Sequence, residues 1–298
     1  EARAAELLPV PYFHAVFTLP HQLGPLALRN QRTVYGILFR AAALSLQTLA
    51  RDPRHLGASI GFLALLHTWG QNLMHHPHLH CLIPGGGLSE DQPQWIASRR
   101  LFFLPVRPLS RLFRKYFLQM LDQARRQGAL TFPGPLQPLR ANPAWKALLA
   151  QACRTEWDLY CKPPLAGPKR VLKYLARYTH RGAISNRRLL CLQDGRVSFR
   201  CKDYRRNGSP TTLTLNSREF VRRLLQTPTS EPHQALDSIP SIPHPTPAVN
   251  LHRSAYTPLC PGNLNPSSLP HSPSSPSPPY ARPAAWLLQP VPPAAFHA

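Results

Sequence analysis

The sequence predicts an α+β fold with a mostly antiparallel sheet, and three observations carry that expectation. Short runs of β-branched and aromatic residues come in pairs joined by turn residues, long amphipathic stretches stand between them, and a proline-rich segment closes the chain. Phe13 to Leu19 is such a run, stopped by Pro20, and reads as a strand. Arg29 to Ala50 is rich in Leu and Ala, without Pro and without Gly after Gly36, and reads as a helix. Ile60 to Trp69 is apolar and short. Together with Pro77 to Ile83, which Pro84-Gly85-Gly86-Gly87 terminates, it makes an antiparallel hairpin.

Beyond Pro108, the residues Leu109, Leu112, Phe113, Tyr116, Phe117, Met120 and Leu121 recur at three-and-four spacing until Gly128. That is one apolar helix face, with Arg111, Arg114, Lys115 and Arg125 on the other side. A further helix is expected from Asn142-Pro143 to about Leu159, and another from Pro168 to near Gly182. Leu189–Leu192 and Val197–Cys201 flank Asp194-Gly195, a pair suited to a tight hairpin turn that needs positive φ. Thr211–Leu215 adds a strand, and Asn216 with Glu219 has the spacing of a capping box opening a last short helix.

Charge divides the chain unevenly. Its 298 residues carry 35 Lys+Arg against 13 Asp+Glu, a formal net charge of +22. From about Thr227 onward only Glu231, Asp237, Arg253 and Arg282 are charged, and they cancel. The excess therefore belongs to the first 226 residues and favours a polyanionic partner. The segment 227–298 holds half of the 36 prolines, among them Ser272-Pro273-Ser274-Ser275-Pro276-Ser277-Pro278-Pro279, and is expected to be a disordered tail after one folded domain, 1–226. No 18-residue apolar run or signal peptide stands out, so the expectation is a cytoplasmic protein without a membrane partner. The six cysteines form no CxxC pair and read as reduced, mostly buried thiols.

Two motifs carry chemistry. In His75-His76-Pro77-His78-Leu79-His80, His78 and His80 are two apart on a strand, so both rings leave one face while Leu79 enters the core. Two imidazoles so placed can chelate a divalent cation, although an isolated pair of this kind is as readily a surface or packing feature. His75 and His76 lie on the turn side and are expected to be solvated or to face nucleic acid. The second motif is Lys173-Tyr174-Leu175-Ala176-Arg177-Tyr178. At i and i+4 on a helix the two tyrosines share a face, where their hydroxyls can attack a phosphodiester or simply pack. The cations around them, Lys169, Arg170, Lys173, Arg177 and Arg181, favour phosphate over packing.

A His-hydrophobe-His pair followed by a YxxxY helix resembles the HUH endonucleases. The wider wording is similar to the two-tyrosine rolling-circle transposases of the IS ninety-one family: Pro9-Val10-Pro11-Tyr12-Phe13-His14, Phe17-Thr18-Leu19-Pro20, Leu66-His67-Thr68-Trp69-Gly70-Gln71, His76-Pro77-His78-Leu79-His80-Cys81, and Tyr174-Leu175-Ala176-Arg177-Tyr178-Thr179-His180-Arg181. The likeness runs from about Ala4 to Leu225. It implies an HUH-endonuclease-like sheet, Tyr174 and Tyr178 as nucleophiles, and a Mg²⁺ or Mn²⁺ ion on His78 and His80. For the third ligand we take Gln71 over His75 and His67. It implies DNA contacts by Lys173, Arg177, His180 and Arg181, single-stranded DNA at transposon ends as partner, no organic cofactor, and nucleoid association in a bacterial cytoplasm. Such transposases carry a cysteine-rich zinc-binding segment before the Pro9 region and basic, aromatic sequence after Leu225. This sequence has neither, so a truncated copy is the expectation. The alternatives are a decayed fragment that only binds DNA, and a rolling-circle replication initiator.

Overall fold

Tyr12–Thr18 (β1), buried along its whole length, is an inner strand of a five-stranded antiparallel sheet in the computed structural model, which describes residues 7–91, 94–99, 103–165, 184–203, 208–226 and 234–237. β1 pairs on one side with His75–Pro84 (β3) and on the other with Leu159–Leu165 (β6), an edge strand. Phe62–Trp69 (β2) pairs with β3 as the expected hairpin. Gln234–Asp237 (β10) pairs with β2 at the other edge, a strand the sequence reading did not contain. The rest of the segment read as a tail lies outside the described residues.

The two faces of this sheet have different chemistry. Phe13, Ala15, Phe17, Leu79, Cys81 and Ile83 point to one side and are buried against helices Gln31–Arg51 (α2) and Val106–Arg126 (α3). Phe17 meets Phe113 at 4.9 Å between ring centroids, and Phe113 and Phe117 meet Trp157 at 5.2 and 5.3 Å. Each phenylalanine buried this way contributes about 1.5–3 kcal/mol. α2 is long and apolar enough to cross a bilayer by length and composition, yet its apolar side chains pack into this core. A short helix, Gly24–Arg29 (α1), leads into it.

The helix opening at Asn142 (α4, Asn142–Arg154) ends five residues earlier than its apolar spacing predicts. Thr155 turns extended, its hydroxyl donates to the Gln151 carbonyl, and the Trp157 indole donates to the Ala152 carbonyl at 2.9 Å. Leu159 then begins β6. The apolar pattern past Arg154 is thus strand alternation rather than helix periodicity. The glycine run after β3 makes a small hairpin, Gly86–Leu88 (β4) with Trp95–Ala97 (β5), in which a Cβ on Gly87 would collide with the Ser59 carbonyl.

The second sheet is built as the sequence predicts. Leu189–Gln193 (β7), Arg196–Asp203 (β8) and Ser209–Asn216 (β9) form an antiparallel meander, and Asp194 and Gly195 take φ of 50° and 68° in its first turn. Helix Ser217–Gln226 (α5) follows, with Asn216 Oδ1 accepting the Arg218 N–H; the Glu219 carboxylate binds Arg222 and Arg223 instead of closing a capping box. Phe199, Cys201, Leu213, Leu215, Phe220 and Leu224 pack with Trp69 and Leu73 from the β2–β3 turn. Arg188 and Arg223 donate to the carbonyls of Gln71 and Asn72 in that turn, so the small sheet is fastened to the end of the β2–β3 hairpin. The described cysteines form no disulfide. Cys81 and Cys201 are buried and Cys161 partly so, whereas Cys153 and Cys191 are exposed, contrary to the expectation of mostly buried thiols.

Candidate metal centre

The sheet face away from α2 and α3 gathers histidines, and strand register explains how. His78 and His80 leave β3 on this face, and the register sets His67 of β2 directly opposite His78. A bulge follows, after which Trp69 pairs with His75. His75, an odd number of residues from His78, lies on the helix side, part-buried rather than solvated as expected, with its Nε2 2.8 Å from the Tyr35 hydroxyl of α2. His76 is exposed at the strand's start, as expected for the turn side.

His67, His78 and His80 offer ring nitrogens that all lie within 4.8 Å of one another. Ring centroids are 4.5 Å apart for His67–His80, 4.9 Å for His78–His80 and 5.4 Å for His67–His78. Nitrogens bound at about 2.1 Å to one cation can be at most about 4.2 Å apart, so small ring rotations bring the three together. Burial holds these rings neutral: it lowers the His67 pKa to about 4 and that of His78 to about 3, and His80 falls further still. Neutral imidazole is the ligating form, so the donor set fits a divalent cation.

Hydrogen bonds fix two of the rings. His78 Nδ1 donates to the His76 carbonyl at 2.7 Å, which leaves the lone pair on Nε2. His80 Nδ1 lies 2.8 Å from Nε2 of His14, a buried β1 residue whose ring is parallel to it within 6°. Burial, with Lys162 and His67 nearby, lowers the His14 pKa to about 4, so this contact joins two neutral imidazoles. A proton donated by His80 Nδ1 to His14 puts the His80 lone pair on Nε2, the arrangement by which an outer partner orients a ligand. Sequence reasoning gave His14 no role because no local spacing signals a neighbour across strands.

The other expected site residues are placed as follows. Gln71 lies in the β2–β3 turn beyond Trp69, partly buried, with its backbone carbonyl accepting from Arg188. The histidine gathered with His78 and His80 is His67. Tyr174 and Tyr178, with Lys173, Arg177, His180 and Arg181, lie outside the described residues.

The sheet face thus carries three clustered neutral histidines that could hold a metal ion, in a chain of net charge +22. Comparison with known proteins gives the family. Residues 61–231 match the family Y2_Tnp, described as "Putative transposase", and the chain belongs to that family. It is 55% identical over 225 residues to "Putative transposase y4qJ" of Sinorhizobium fredii, covering 76% of this chain and 56% of that protein. It is 32% identical over 221 residues to the "Transposase for insertion sequence element IS801" of Pseudomonas savastanoi pv. phaseolicola, covering 72% of this chain and 50% of that protein. The chain thus spans about half the length of the curated relatives it matches. No solved structure matches it.

Proposed function

We propose that the chain is the catalytic core of a rolling-circle transposase, which nicks single-stranded DNA at transposon ends and transfers the strand through a 5′-phosphotyrosine. The observation that carries this reading is the cluster of His67, His78 and His80 on the sheet face away from α2 and α3, in a member of a transposase family. These three residues would hold the cation, with His67 rather than Gln71 as the third ligand. Three nitrogen donors suit Mn²⁺ better than Mg²⁺, which prefers oxygen. Once bound, the cation would polarise the scissile phosphate.

The chain's own groups do the rest. The phenol of Tyr174 or Tyr178 releases its proton to solvent as its oxygen attacks phosphorus, and the bond to the 3′ oxygen breaks. The 5′ phosphate stays on the tyrosine, and the departing oxygen takes a proton to become a 3′-hydroxyl. The second tyrosine makes the matching cut at the other end. Lys173, Arg177, His180 and Arg181 contact the phosphates around the cut. His14 keeps His80 in its ligating tautomer, and the fully buried side chain of Leu79 between the two β3 histidines anchors the strand. No organic cofactor takes part, and the reaction belongs to the bacterial nucleoid.

The test is Mn²⁺ binding by electron paramagnetic resonance, alongside cleavage of a labelled single strand. Wild-type protein binds one tight Mn²⁺ and cuts; a chelator stops the cut; His67→Ala, His78→Ala and His80→Ala each lose both. Unchanged Mn²⁺ affinity in all three variants would remove the metal centre from this cluster.

A further inference from the structure

The face that carries the histidines continues across β1 to the edge strand β6. The register sets Tyr160 and His80 on opposite sides of Val16, so the tyrosine stands two strands from His80, about 10 Å away. Lys162 pairs directly with His14, the next residue along this face of β1. Asp158, exposed on the same face, lies at the other end, where its charge acts on His76.

Tyr160 is 42% exposed, although its neighbours Val16 and His14 on this face are buried. Its ring meets His14 edge-on at 6.1 Å, and the Lys162 ammonium stands 5.6 Å from the ring centroid. An aromatic ring braced edge-on by a buried neighbour, partly exposed, with a cation over one face, has the parts that hold an unpaired nucleotide: a π surface for the base and a charge for its phosphate.

We propose that Tyr160 and Lys162 form a stacking platform for a nucleotide of the single strand that passes the metal centre. A duplex keeps its base faces stacked inside the helix, so this platform selects single-stranded over double-stranded DNA. The inference rests on the nicking reading above, since it supplies the strand preference which that reading requires.

The experiment uses the full chain in a chelating buffer, so that binding is read apart from metal and cutting. Anisotropy of a fluorescent oligo-dT strand is compared with that of an equally long abasic strand. Tyr160→Ala weakens oligo-dT binding by about 5- to 150-fold, the range for one lost base stack, while Tyr160→Phe keeps it. On the abasic strand the wild type and Tyr160→Ala bind alike. Lys162→Met weakens both strands, more at low salt. Equal oligo-dT affinity for wild type and Tyr160→Ala, or an equal loss on the abasic strand, would overturn the platform. Cutting is scored separately with Mn²⁺ restored. A wild type that binds oligo-dT through Tyr160 but never cuts defeats the nicking reading and leaves the platform standing. A Tyr160→Ala protein that binds and cuts as wild type does the reverse.

Discussion

At the scale of single residues, the site depends on which nitrogen of each ring carries the proton. The His76 carbonyl fixes the proton of His78 on Nδ1, and Nε2 of His14 on the neighbouring strand stands 2.8 Å from Nδ1 of His80. Removing an outer partner of this kind costs roughly 10- to 100-fold in metal affinity. His14→Ala is therefore expected to weaken Mn²⁺ binding by that factor in a calorimetric titration, with circular dichroism unchanged. His14→Gln, whose amide oxygen can accept the same proton, restores part of it. Affinity unaltered in His14→Ala would show that the ring only fills space. Gln71→Ala is expected to leave Mn²⁺ affinity near wild type whereas His67→Ala abolishes it, and the opposite order would return Gln71 to the ligand set. His78 and His80 were legible as a pair because a strand repeats every two residues. His67 was weighed but ranked below Gln71, and His14 had no signal at all, because their positions depend on strand register, which no single segment encodes.

At the scale of elements, the clearest predictions from sequence were those with a strong period or a demanding turn. The α3 stripe from Leu109 to Leu121 and the Asp194-Gly195 hairpin are both found where expected. The Asn142 helix was overrun because Trp157 and Leu159 prolong an apolar pattern that helix and strand share over so short a stretch. β10 carries no signal of its own in Gln-Ala-Leu-Asp; pairing with β2 defines it. The contact between the two sheets depends on Leu73, which is 1% exposed and holds a φ of 61° that a leucine adopts at a cost. Such a conformation persists only where packing repays it. Leu73→Ala is expected to cost about 2–5 kcal/mol in denaturant unfolding, as for other buried leucines, and to raise amide exchange in β8 and β9 first. Loss spread evenly over both sheets would show that the turn does not join them.

At the scale of the whole molecule, charge decides the partner. The +22 is carried by residues 1–226, since the four charges after Thr227 cancel. If about six phosphates are neutralised, affinity for single-stranded DNA is expected to fall roughly 300-fold between 50 and 200 mM salt. A flat salt response would point to a partner other than a polyanion. A steep one fits both a working nickase and a fragment that only holds DNA, so binding alone does not separate them.

The covalent product does. Wild-type protein is incubated with Mn²⁺ and a labelled single strand carrying the transposon end, and the adduct that survives denaturing electrophoresis is mapped by mass spectrometry. We predict a Mn²⁺-dependent adduct on Tyr174 or Tyr178, kept in part by either single Tyr→Phe change and lost when both are made, with strand binding intact. An adduct that persists in the double variant, or a wild type that binds the strand and forms none, would contradict the account.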